Sequence, residues 1–108
     1  MPIHNKLVRD KIPEVIEKTG KRFSTKILSD TEYITELRKK ANEELEEYLN
    51  TDNKEDAVEE LADLLEIVHA LAESHGSSID EVEKVRKEKA AKRGGFKEKI
   101  FLIEVEDE

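Results

Sequence analysis

The stretch Lys40–Glu66, KANEELEEYLNTDNKEDAVEELADLLE, decides the fold. It holds two acidic pairs, Glu44 with Glu47 and Glu60 with Asp63, and within each pair the members stand three residues apart. On an α-helix that spacing puts both members on one face. At about 100° per residue, the segment around the first pair carries an apolar stripe of Ile34, Leu37, Ala41, Leu45 and Tyr48. Glu44 falls on the edge of that stripe and Glu47 just outside it on the same side, while Glu43 and Glu46 point to solvent. The second segment has its stripe at Ala57, Leu61, Leu64, Leu65, Val68 and Ala72, flanked on the same rotational side by Glu60 and Asp63. A short polar connection, Asn50 to Asn53, favours an antiparallel hairpin. Reversing one helix axis brings both acidic flanks to the same side of the seam. The pairs 44 with 63 and 47 with 60 share one midpoint in the sequence, so each acid faces one across the hairpin to within about a turn.

Four carboxylates beside an apolar seam repel one another and lose hydration, so they destabilise the fold unless neutralised. A hard divalent cation neutralises them best, and Mg²⁺ takes oxygen ligands and works with substrate phosphates. The plainer alternative is a solvated acidic face. Acidic residues are 27 of 108, so a given foursome arises by chance about once in 250 registers, and the chain offers many registers.

The composition bounds the rest. A chain of 108 residues is read as a single domain, 1–108. With 43% charged and 36% hydrophobic residues its core is modest, yet the apolar residues fall in register, which argues against disorder. The net charge of −8 disfavours nucleic-acid polymers and anionic membranes. No cysteine is present, so thiolate metal sites are excluded and a cytoplasmic location is compatible. No apolar run reaches transmembrane length, and the N-terminus has no signal-peptide core.

An all-α fold of about four helices follows. Asp10 is expected to cap a first helix, with Pro13 in its opening turn and Gly20 at its end. Ser29 with Glu32 has capping-box spacing, which predicts a second helix from near Asp30 to about Leu49. Asp52 or Asn53 caps the third, which ends at Gly76. A second box, Ser78 with Glu81, opens a fourth helix through about Lys92, closed by Gly94–Gly95 and weakly striped by Ile79, Val82 and Val85. Phe23, Thr25 and Ile27 alternate with polar residues, as Phe101, Ile103 and Val105 alternate with Leu102 and Glu104. Extended or strand segments near 22–28 and 99–105 are therefore expected, paired with each other. The third helix has more apolar stripe than the other elements can cover, so a homodimer or higher homo-oligomer is expected to complete the bundle.

Positive charge gathers at Lys6, Arg9 and Lys11, and again at Lys87, Lys89, Lys92 and Arg93 ahead of two glycines. Each group suits either solubility and helix-dipole chemistry or contact with phosphate.

Taken together, Glu43-Glu44-x-x-Glu47, a gap of twelve residues, and Glu60-x-x-Asp63 resemble the signature of the all-α nucleoside triphosphate pyrophosphohydrolases. These are the MazG-like and phosphoribosyl-ATP pyrophosphohydrolase-like proteins. The opening NKLVRDKIPE and the late KRGGF resemble a small single-domain branch, so the resemblance spans residues 5–96. It implies Mg²⁺-dependent (or Mn²⁺-dependent) hydrolysis between the α and β phosphates of a nucleotide, giving a monophosphate and pyrophosphate. Glu44, Glu47, Glu60 and Asp63 match its metal-ligand positions, with Glu47 or Glu44 as the carboxylate that takes the proton of the attacking water. Lys92 and Arg93 are the candidates for holding the remaining phosphates, with Lys6 and Arg9 as a second set. Base and sugar recognition is left open. The alternative from another class is an acidic helical dimerisation or adaptor module without catalysis.

Overall fold

The computed structural model describes residues 2–107. They form four α-helices: α1 (Ile12–Glu17), α2 (Asp30–Leu49), α3 (Lys54–Ser74) and α4 (Ile79–Arg93). Local chemistry sets the boundaries. At Ser29 the capping box is complete: the hydroxyl accepts from the Glu32 amide and the Glu32 carboxylate accepts from the Ser29 amide, both at 3.2 Å. Asn53 caps α3 by accepting from the Asp56 amide at 2.9 Å. Ser78 caps α4 through the Glu81 amide, but here only the serine half of the expected box forms. The α1 cap also differs from expectation. Its capping position is Lys11 rather than Asp10, with no side-chain cap bond. Pro13 in that first turn has no N–H to satisfy, and six residues are too few to make a stable helix alone. Gly76, at φ 74°, closes the end of α3 in the left-handed region that glycine adopts without cost.

α2 packs on α3 as the expected antiparallel hairpin, and α3 touches α4 more briefly. α1 packs on none of the other helices. The connection is tied off locally: Thr51 Oγ1 donates to the Tyr48 carbonyl at 2.7 Å, and Asn50 Nδ2 to that of Glu46 at 2.9 Å. Leu37, Ile67 and Ala72 are the buried hydrophobic residues. The α3 stripe is therefore broader than expected and rotated. Ile67 enters the seam, whereas Leu61 and Leu65 remain 46% and 53% exposed.

The extended segments near 22–28 and 99–105 carry no strand among the described residues, and the expected pairing between them is not made. Ile27 and Phe101 stand 96% and 88% exposed. A two-stranded ribbon is marginal unless one face packs on something, and here these side chains stay exposed.

The accessible surface is 10284 Å², against about 6,200 Å² for a compact monomer of this mass. The radius of gyration is 18.6 Å, against about 13 Å for a compact domain of this length. Leu45, Leu49, Val58, Leu61 and Leu65 contribute to the excess as half-exposed apolar side chains of the hairpin.

Candidate metal centre

The hairpin brings carboxylates from its two helices together at its middle. One oxygen each from Glu44 and Glu47 on α2 and Glu60 on α3 lie within 4.8 Å of one another. The fourth expected member, Asp63, sits one turn further along α3. Its Oδ1 accepts a hydrogen bond from Arg9 Nη2 at 2.7 Å. Asp63 is nonetheless close enough for its charge to act on Glu44. Glu60 meets Glu47, its expected opposite, and Glu44 as well, whereas Asp63, the expected opposite of Glu44, is held by Arg9.

Burial makes this cluster unlike the many exposed acids of the chain. Glu44 is only 8% exposed, and it is the buried charged residue of the fold. Oε2 of Glu44 and Oε2 of Glu60 are both buried without a hydrogen-bond partner. A buried acceptor left unsatisfied costs about 1–3 kcal/mol, and more when charged. Three ionised carboxylates have no donor to offer one another, so the only internal relief is a proton lodged on one of them. Glu60 is the member pushed furthest up, to about 7: the closeness of the Glu47 carboxylate comes first, then burial and the Glu44 carboxylate, with the charges of both neighbours behind them. Glu44 is also raised, chiefly by burial and then by the charges of Glu47 and Asp63, with the Glu60 hydrogen bond acting in the opposite direction. By contrast, the capping bonds to Ser29 lower Glu32, and Arg86 lowers Glu83.

A donor set made only of carboxylate oxygens is hard, which suits Mg²⁺ or Mn²⁺ and disfavours softer ions. Glu44, Glu47 and Glu60 can hold such an ion, and Asp63 stands one helical turn away from Glu60. Of the basic residues expected to meet phosphate, only Arg9 is brought to an acid of this group. Lys6, Lys92 and Arg93 are exposed and form no ion pair among the described residues. By sequence alone Arg9 ranks behind Lys92 and Arg93, because nothing in the pattern of a loop ahead of a short helix reveals where it folds back.

Comparison with family models, curated proteins and solved structures finds no match to this chain.

Proposed function

We propose that this chain is a Mg²⁺-dependent nucleotide pyrophosphohydrolase, cleaving between the α and β phosphates of a nucleoside triphosphate or related nucleotide. The observation that carries the reading is the convergence of three carboxylates within 4.8 Å around a buried, unpartnered Glu44 oxygen. An acidic surface kept for solubility has no need to bury a charge. When bound, Mg²⁺ offsets phosphate charge, polarises the scissile phosphoryl group and acidifies a water ligand. Glu44 and Glu60, the less exposed members, hold the cation. Glu47 is the more exposed member of the three and takes the proton as the water oxygen attacks the α phosphorus. The α–β anhydride bond breaks, and pyrophosphate leaves with its bridging oxygen. Mn²⁺ can replace Mg²⁺ in an all-oxygen site.

The excess accessible surface and the half-exposed leucines of the hairpin support a homodimer, in which two hairpins bury their apolar faces against each other. The same face also favours a second reading, an acidic helical dimerisation or adaptor module without catalysis. No helix is long and apolar enough to cross a membrane. With no cysteine in the chain, we place its work in the cytoplasm.

A pyrophosphate-release screen over canonical and modified nucleoside triphosphates, with Mg²⁺ or Mn²⁺, tests the assignment. Release with at least one nucleotide is expected, together with a melting temperature raised by millimolar Mg²⁺ through binding to the native state. No release and no Mg²⁺ effect would leave the adaptor reading. A Mg²⁺ effect without release would describe a nucleotide-binding regulator.

A further inference from the structure

Residues 2–11 form an irregular arm ahead of α1, and α1 packs on no other helix. The arm meets the hairpin through one side-chain bond, Arg9 Nη2 to Asp63 Oδ1 at 2.7 Å. Among the described residues this is the only side-chain hydrogen bond joining positions more than four apart in sequence. It lands on the residue that stands one turn from the carboxylate hub.

As a structural staple the pair is poor. Its side chains are 58% and 40% exposed, and ion pairs so exposed contribute little to stability. As an exchangeable contact it is well suited. A guanidinium carries five N–H donors in a planar fork. One is given to Asp63, and no other protein acceptor for Arg9 occurs among the described residues. A cation held by Glu44, Glu47 and Glu60 would compete with Arg9 for the Asp63 carboxylate. The fork would then be released beside the cation, where a phosphate can take it with two parallel bonds. Lys6 and Lys11 on the same arm add charge of the sign that draws a polyphosphate in.

We infer that Arg9 is a positioning residue for the substrate phosphates. Asp63 holds it at the rim of the carboxylate site, and it passes to the pyrophosphate moiety once the cation is in place. The inference rests on the metal-dependent reading above. It makes the arm a strap that closes over the bound polyphosphate, and it couples the two ligands: each binds more tightly when the other is present.

The test is calorimetric titration of Mg²⁺ alone, and of inorganic pyrophosphate in the presence of Mg²⁺, into the full chain and its Arg9→Gln variant. Amide exchange of residues 2–9 is followed in parallel. Arg9→Gln is expected to bind Mg²⁺ at least as tightly as the parent, to bind pyrophosphate at least about tenfold more weakly, and to lose the slowing of arm exchange that pyrophosphate causes in the parent. Equal pyrophosphate affinity in the two proteins, with Mg²⁺ binding intact, would overturn the role of Arg9 and leave the metal site standing. Failure of the parent to bind Mg²⁺ at all would remove the metal-dependent reading, and this inference with it.

Discussion

The two long faces of the α2–α3 hairpin are unfinished in opposite ways. On one side of the seam Glu44, Glu47 and Glu60 gather negative charge and orphaned acceptors. At about 100° per residue, Leu45, Leu49, Leu61 and Leu65 fall to the other side, half-exposed. The first face is short of positive charge and the second of apolar contact, so one kind of partner cannot complete both. The difference teaches how to separate function from assembly in so small a chain. A cation would act on the acidic face and leave the leucines alone, while a second copy would do the reverse.

The largest expected effect breaks the acidic side. Glu60→Gln keeps shape but removes the hub charge. Loss of a residue that merely supports a metal ligand costs about 10–100-fold, so loss of a ligand should reduce Mg²⁺-dependent pyrophosphate release by at least about a hundredfold. The Mg²⁺-induced rise in melting temperature should vanish as well, while the fold by circular dichroism stays intact. Retention of both would make the cluster ornamental.

Next in size is the apolar side. Leu61→Asp with Leu65→Asp places two charges where the seam of a dimer would lie, and desolvating an unpaired charge costs several kcal/mol. Sedimentation should then show the particle falling to the 12.5 kDa of one chain. An unchanged mass would mean that those leucines face nothing. Mg²⁺ binding by the dissociated chain would show that the two faces are separable; its loss would show that the metal centre leans on the dimer.

A smaller effect concerns pH. Because Glu60 is raised to about 7, between about 4.5 and 7 it keeps in the native chain a proton that it has lost in the unfolded one, and this contribution opposes folding as pH rises. Stability then falls as pH rises through that window. This is the reverse of Glu32 and Glu83, whose lowered values add stability at higher pH that is lost on acidification. With chelator present, denaturant midpoints should decline toward neutrality in the parent and decline less in Glu60→Gln. Mg²⁺ should suppress the decline, since its binding expels the shared proton and tightens as pH rises.

Much of this is legible in the sequence alone. Ser29 with Glu32 fixes where α2 begins because both halves of the box are local, and the short connection fixes the sense of the hairpin. The carboxylate levels follow from those two facts. What could not be read involves distance in the chain. Ile67 displaces Leu61 and Leu65 from the seam because a stripe wider than one neighbour can be docked at several rotations. Arg9 reaches Asp63 across 54 positions, through an arm with no periodicity to betray its path. The tail carries a strand-like alternation, but alternation specifies a face and not a partner. Phe101 and Ile103 remain exposed for want of one.

The smallest expected effect is the most direct control on the comparison. Glu43 and Glu46 repeat the three-residue spacing of Glu44 and Glu47 on the same helix, one position earlier, and are exposed. Glu43 has only a 3.8 Å ion pair with Lys40 to lose, a contact of the class that contributes little. Glu43→Gln with Glu46→Gln removes as much charge from α2 as Glu44→Gln with Glu47→Gln does. If the Mg²⁺ response came from general negative charge, both doubles would weaken it alike. If it comes from the side of the helix that faces α3, the 43/46 double should keep the parent's Mg²⁺ titration, and its stability should stay within about 0.5 kcal/mol. The 44/47 double should bind no Mg²⁺ and, freed of its buried repulsion, melt higher than the parent in chelator. A one-residue shift along the sequence is about 100° around the helix, and that rotation separates a site from a surface.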